Sequence, residues 1–129
     1  MPRANPTIVV VDDSPAVRVF FERVAGSIDV ELKTYASAEE AMGYLVDHKP
    51  ELLFLDIIMP DKDGLIFLQE LRRLPLHGDT PTVVISSKDY AQDRTVAKDL
   101  GVVEFVAKPM ATRTIQDLIL KYTNGAAAR

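Results

Sequence analysis

"VVVDDSPA" (residues 9–16) runs three β-branched residues directly into two adjacent carboxylates, a serine and a proline. A continuous apolar run of this kind reads as a strand buried on both faces. Ser14 and Pro15 read as the cap and the first residue of a helix. A strand that passes straight into a helix opens a βα unit. In a sheet built from such units, charge placed after the strand lies on the carboxyl rim, where ligands bind.

Outward from this stretch the same alternation recurs four more times. "TIVVV" (7–11) precedes a helical stripe of Val17, Phe20, Phe21 and Val24 that ends at Gly26. "VELKTY" (30–35) alternates like a half-exposed strand, and Ser37 offers a cap for a helix with Ala38, Ala41, Met42 and Leu45 on one side. "LLFL" (52–55) leads to Leu65, Leu68 and Leu71. "TVVI" (82–85) leads to a polar helix over about 89–100 closed by Gly101, and "VVEFV" (102–106) to a helix striped by Ile115, Leu118, Ile119 and Tyr122. Strands separated by helices are joined by right-handed crossovers into a parallel sheet covered on both faces. The pattern predicts a doubly wound α/β fold. The three wholly apolar strands belong in the centre and the second and fifth at the edges, which order 2-1-3-4-5 satisfies.

A length of 129 residues fits one domain with a proper core. The absence of cysteine excludes disulfides, thiol redox chemistry and cysteine-bound zinc. No apolar run approaches a membrane span and "MPRANP" lacks the core of a secretory signal, so the expectation is a cytoplasmic protein without a membrane partner. A net charge of −4 with scattered basic residues gives no footprint for direct nucleic-acid binding. The domain is expected over 7–122, with 1–6 as a flexible start and 123–129 as a flexible tail or the start of a linker. His48 and His77 read as solvated loop residues.

On this topology Asp12 and Asp13 end the first strand, Asp56 the third, Ser86 and Ser87 the fourth, and Lys108 follows the fifth. Each residue has a plain structural reading, as cap, turn or solvated charge. Those readings do not require all of them to fall on one edge, whereas a metal and phosphate site does. Clustered carboxylates repel one another unless a cation shares them, and Mg²⁺ takes one or two carboxylates together with phosphate oxygens. Asp12 and Asp13 suit ligands. Asp56 sits centrally enough to attack phosphorus as a nucleophile, with Lys108 neutralising the transferring group and Ser86 donating to its oxygens.

These residues resemble the receiver domain of bacterial two-component response regulators, through "VVVDDS", "LLFLDIIMPDKDG", "VVISS" and "GVVEFVAKP". The resemblance implies a flavodoxin-like (βα)5 fold and phosphorylation of Asp56 by a sensor histidine kinase or histidine phosphotransfer protein. It implies Mg²⁺ held by Asp13, Asp56 and the backbone carbonyl of Ile58, with Asp12 acting through bound water, and a cis peptide at Lys108-Pro109. It further implies a switch in which Ser86 moves toward the phosphoryl group and Phe105 turns inward. That switch would reshape the face of the fourth helix, fifth strand and fifth helix for a downstream protein, an output domain or a second copy. Ile58 and Lys88 stand where the family tunes water access to the acyl phosphate, and a bulky Ile58 is expected to hinder water.

Three other readings fit less well. A haloacid-dehalogenase-type phosphatase wants two carboxylates two residues apart after the first strand, and position 14 is serine. A flavodoxin-type electron carrier wants a Ser/Thr/Gly-rich loop where Pro15 stands. A receiver-like module that binds partners without phosphorylation is the alternative, against which the complete set of Asp12, Asp13, Asp56, Ser86 and Lys108 speaks.

Overall fold

A computed structural model describes residues 5–123. Five strands, β1 (Thr7–Val11), β2 (Glu31–Tyr35), β3 (Leu52–Asp56), β4 (Thr82–Ser86) and β5 (Glu104–Ala107), alternate with five helices. The helices are α1 (Pro15–Ala25), α2 (Ala38–Leu45), α3 (Gly64–Arg72), α4 (Ala91–Asp99) and α5 (Thr112–Thr123). All strand pairs are parallel and the order is β2-β1-β3-β4-β5, as expected. The central strands β3 and β4 are buried at every residue, whereas β2 and β5 are half-exposed edges.

The alternation of side chains along each strand sorts the core into two layers. Ile8, Val10, Phe54 and Ile85 pack against Phe21 and Val24 of α1 and Ile115 and Ile119 of α5. On the other face Val9, Val11, Leu53 and Leu55 pack against Ala41 and Leu45 of α2 and Phe67, Leu68 and Leu71 of α3. Helix α4 is attached more thinly. Ala97 is its only fully buried residue, in a small cluster with Ile57, Leu65 and Val84.

Side chains start the helices where the sequence places polar caps. Ser14 Oγ accepts from the Val17 N–H, Ser37 Oγ from Glu40, and Asp63 Oδ1 from both Leu65 and Ile66. Gly101 ends α4 at φ 78°, where the Val102 N–H returns to the Ala97 carbonyl at 3.0 Å. That return takes Val102 out of the strand, so β5 begins at Glu104 rather than at 102. Helix α4 begins at Ala91, later than the expected 89, and α5 runs on through Thr123, whose hydroxyl donates to the Ile119 carbonyl. Thr123 thus belongs to the helix rather than to the tail expected over 123–129, and residues 124–129 and the first four lie outside the described residues.

The reading of His77 as solvated is corrected. It closes the short 3-10 turn Pro75–His77 and is fully buried. Its Nε2 donates to the Leu45 carbonyl at 2.5 Å, and Nδ1 pairs with Thr80 Oγ1 at 2.8 Å. Arg72 completes this polar knot at the amino end of the sheet. It donates to the carbonyls of Leu100, His77 and Thr80 and to Thr82 Oγ1. Buried polar groups are kept only when paired, and here each finds a partner among neighbouring turns. His48 is exposed, as expected, and stacks on Tyr44.

Candidate functional site

The carboxyl rim is built from the strand ends inward. The Asp12 N–H donates to the Tyr35 carbonyl at 3.0 Å, and its own carbonyl accepts from Arg18 Nη1 at 2.9 Å. Its Oδ1 accepts from the Ser14 N–H at 2.9 Å. These bonds fix a fully buried carboxylate beside Asp56, which is 2% exposed. Asp13 is exposed, yet Asp12, Asp13 and Asp56 each offer an oxygen within 4.8 Å of the others.

Among the described residues one cation pairs with them. Lys108 Nζ lies 2.8 Å from Asp12 Oδ2 and 3.5 Å from Asp56 Oδ1. The ammonium stands at ion-pair distance from Asp12 Oδ2 without the alignment of a hydrogen bond, so this buried oxygen makes none. Three carboxylates against one ammonium leave excess negative charge in a buried place. Burial, and then the nearby charges of Asp12 and Asp13, push the Asp56 carboxyl up to about 6, against the pull of Lys108 and the Ile58 N–H. A buried oxygen held by an ion pair alone, a carboxyl held from its ordinary value and an all-oxygen donor set fit a small divalent cation such as Mg²⁺.

Backbone geometry holds the nucleophile candidate. The Ile58 N–H donates to Asp56 Oδ1 at 3.3 Å, and the Gly64 N–H to the Ile57 carbonyl at 2.7 Å. A Cβ at Gly64 would stand 2.1 Å from the Asp56 carbonyl oxygen, so only glycine permits this approach. Ser86 ends β4 one register step past the Asp56–Ile85 pair, buried, with its Oγ accepting from the Lys88 N–H at 3.1 Å. The Lys108 N–H donates to the Ser86 carbonyl at 2.8 Å, which ties the lysine's loop to β4. The Lys108-Pro109 peptide is cis.

The structure therefore brings Asp12, Asp13, Asp56 and Lys108 together and sets Ser86 at the adjoining strand end. Ser87 and Pro109 line a recess beside Lys108, floored by Val17 and Phe20 of α1. Ile58 projects outward at 48% exposure, and Lys88 reaches over the Tyr90 ring. Phe105 lies half-buried on β5 against the α4 cluster, with the Arg94 guanidinium 4.5 Å from its ring centre. Arg94 also forms a two-pronged ion pair with Asp89. Sequence reasoning missed Arg18 and the steric role of Gly64. The first contact uses a backbone acceptor that leaves no mark in sequence. The second had a signal in the Asp63-Gly64 pair, whose reason only the packing reveals.

The chain matches the response regulator receiver domain family over residues 8–120. It is 36% identical over 111 residues to the cyclic di-GMP phosphodiesterase response regulator RpfG of Xanthomonas campestris pv. campestris (strain 8004), covering 84% of this chain and 29% of that protein. It is 32% identical over 114 residues to the response regulator Rre1 of Synechocystis sp. (strain ATCC 27184 / PCC 6803 / Kazusa), covering 88% and 49%. The chain thus spans less than half the length of these relatives. Among solved structures, the phosphorylated cyanobacterial phytochrome response regulator RcpA superposes with a TM-score of 0.83 at 27% identity, covering 97% of this chain and 99% of that one. A CheY-like receiver domain from Methanospirillum hungatei JF-1 also superposes at 0.83, with 18% identity over 93% of this chain and 94% of that one. A match over nearly the whole length, on a parallel sheet whose rim gathers these acidic residues and this lysine, means that the chain belongs to the response regulator receiver domain family.

Proposed function

We propose that the domain is a phosphoacceptor switch of two-component signalling, acting in the cytoplasm. Asp56 takes a phosphoryl group from a histidine kinase or histidine phosphotransfer protein. The carboxylate oxygen forms the new O–P bond as the N–P bond of phosphohistidine breaks. The electron pair stays on the departing imidazole nitrogen, which takes a proton from solvent. Lys108, already 3.5 Å from Asp56, follows the incoming oxygens as a mobile point charge, and the Ser86 hydroxyl donates to them. Mg²⁺ would be held by Asp12, Asp13, Asp56 and the Ile58 carbonyl, and when bound it supplies positive charge that shields the carboxylates and the phosphoryl oxygens. Exposed Ile58 narrows the approach of hydrolytic water. Ser86 and Phe105 carry the change of state to the α4–β5–α5 face for a downstream protein, an output domain or a second copy.

The observation that carries this reading is the buried Asp56 beside Lys108, within one cluster of three carboxylates with Asp12 and Asp13. The phosphorylated state of RcpA, a relative of similar fold, agrees with it. Incubation with acetyl phosphate and Mg²⁺ is expected to add one phosphoryl group by intact-mass spectrometry. The group should be absent without Mg²⁺ and in Asp56→Asn. Retention of the added mass in Asp56→Asn overturns the assignment.

A further inference from the structure

The face opposite α1 and α5 carries a second feature, independent of the phosphoacceptor reading. Between α2 and α3 lies a groove of about 610 Å³, within the range of cavities that hold ligand groups. Met42 and Phe67 floor it and Val46, 57% exposed, forms an apolar lip. Its rim is acidic. Glu39, Asp61 and Glu70 border it, and the only cation among the residues lining it, Lys62, is tied to Glu70 at 2.6 Å. Among the described residues no cation pairs with Glu39 or Asp61.

Gly43 adds an independent observation. It sits inside α2 on the wall of this groove, where glycine weakens a helix relative to alanine. Neither backbone nor packing demands it: its φ is not positive, and a Cβ built there would meet nothing within 4 Å. What the missing side chain does is leave the wall of the groove open, at the expense of the helix.

We propose that this groove docks a segment of a partner protein that carries an apolar anchor flanked by Lys or Arg. The floor accepts the anchor, and Glu39 and Asp61 face the flanking cations. The same charges repel nucleic acid and anionic lipid.

The test titrates the full chain, in saturating Mg²⁺, with the blocked peptide acetyl-Lys-Leu-Phe-Arg-amide and with its charge-reversed form acetyl-Glu-Leu-Phe-Glu-amide, followed by amide NMR shifts. The basic peptide should give saturable shifts at Met42, Gly43, Val46 and Phe67, and the acidic one none. Gly43→Leu, whose Cβ would meet nothing within 4 Å, and the double variant Glu39→Gln with Asp61→Asn should each weaken binding about tenfold while melting cooperatively. Equal shifts with both peptides, shifts centred elsewhere, no shifts at all, or variants that bind like the parent overturn the proposal. A concentration-dependent dimer abolished by Gly43→Leu would assign the groove to a second copy and overturn it equally.

Discussion

Asp56 stands under opposed demands, since the burial that keeps water from its carboxylate also penalises the charge that the proposed nucleophile needs. Its folded value near 6 lies above the unfolded 3.8. Between those values the folded state holds the proton more tightly, so stability falls as pH rises through the window. Below it both states are protonated and the penalty vanishes; above it the penalty is full. Asp56→Asn removes the buried charge and keeps the shape. In the absence of Mg²⁺ it should therefore stabilise the domain by roughly 1–3 kcal/mol at neutral pH, a gain that fades below about pH 4. Urea unfolding at several pH values measures this, and a gain independent of pH would remove burial as its cause. Ile58 stands half-exposed beside the same carboxylate, and in the proposed switch it hinders hydrolytic water. Ile58→Asn should shorten the phosphorylated lifetime several-fold in a phosphate-release assay, and an unchanged or longer lifetime counts against steric hindrance by isoleucine. These positions were legible in the sequence because strand ends announce themselves where an apolar run stops at a charge. Arg18 was not, since nothing in a residue name tells that its guanidinium reaches back to the Asp12 carbonyl.

Elements meet at two places where a single atom matters. At the start of α3, Gly64 lets the helix close against the end of β3, with 2.1 Å between its hypothetical Cβ and the Asp56 carbonyl oxygen. Gly64→Ala should cost roughly 1–3 kcal/mol through forced backbone movement. Because the displaced atoms belong to Asp56 and Ile57, phosphorylation by acetyl phosphate should slow as well; full rate with normal stability would contradict this packing. At the other end of the sheet, the turn before β4 is knotted to α2 through His77 and to α3 through Arg72. His77→Ala leaves the Leu45 carbonyl and Thr80 hydroxyl without this partner and opens a cavity, for a loss of roughly 2–4 kcal/mol by urea denaturation. The rim lies at the far end of the strands, so the rate of phosphorylation should hold. The turn's polar, proline-flanked sequence "PLHGDT" (75–80) reads as solvent-facing, and only the Leu45 carbonyl and the Thr80 hydroxyl make burial of its histidine favourable. That is why His77 was misread while His48 was not.

At the scale of the whole molecule, strand order and the pairing of faces followed from hydrophobicity, because a parallel sheet must cover both sides and only the strands with polar residues tolerate an edge. Boundaries shifted by one to two residues at β5 and α4, and at β5 the backbone bond that caps α4 claims Val102, which apolar character alone assigns to the strand. The groove between α2 and α3 was invisible for a related reason: a gap is defined by what two distant segments fail to fill. The uneven attachment of the helices has a mechanical outcome. Four of them grip the sheet through two or more buried side chains, while α4 buries only Ala97, with half-buried Val96 beside it, and no side chain caps its first N–H groups. A load applied at the carboxyl rim meets stiff neighbours everywhere except there, so the molecule resembles a rigid plate with one compliant arm, and displacement collects in that arm.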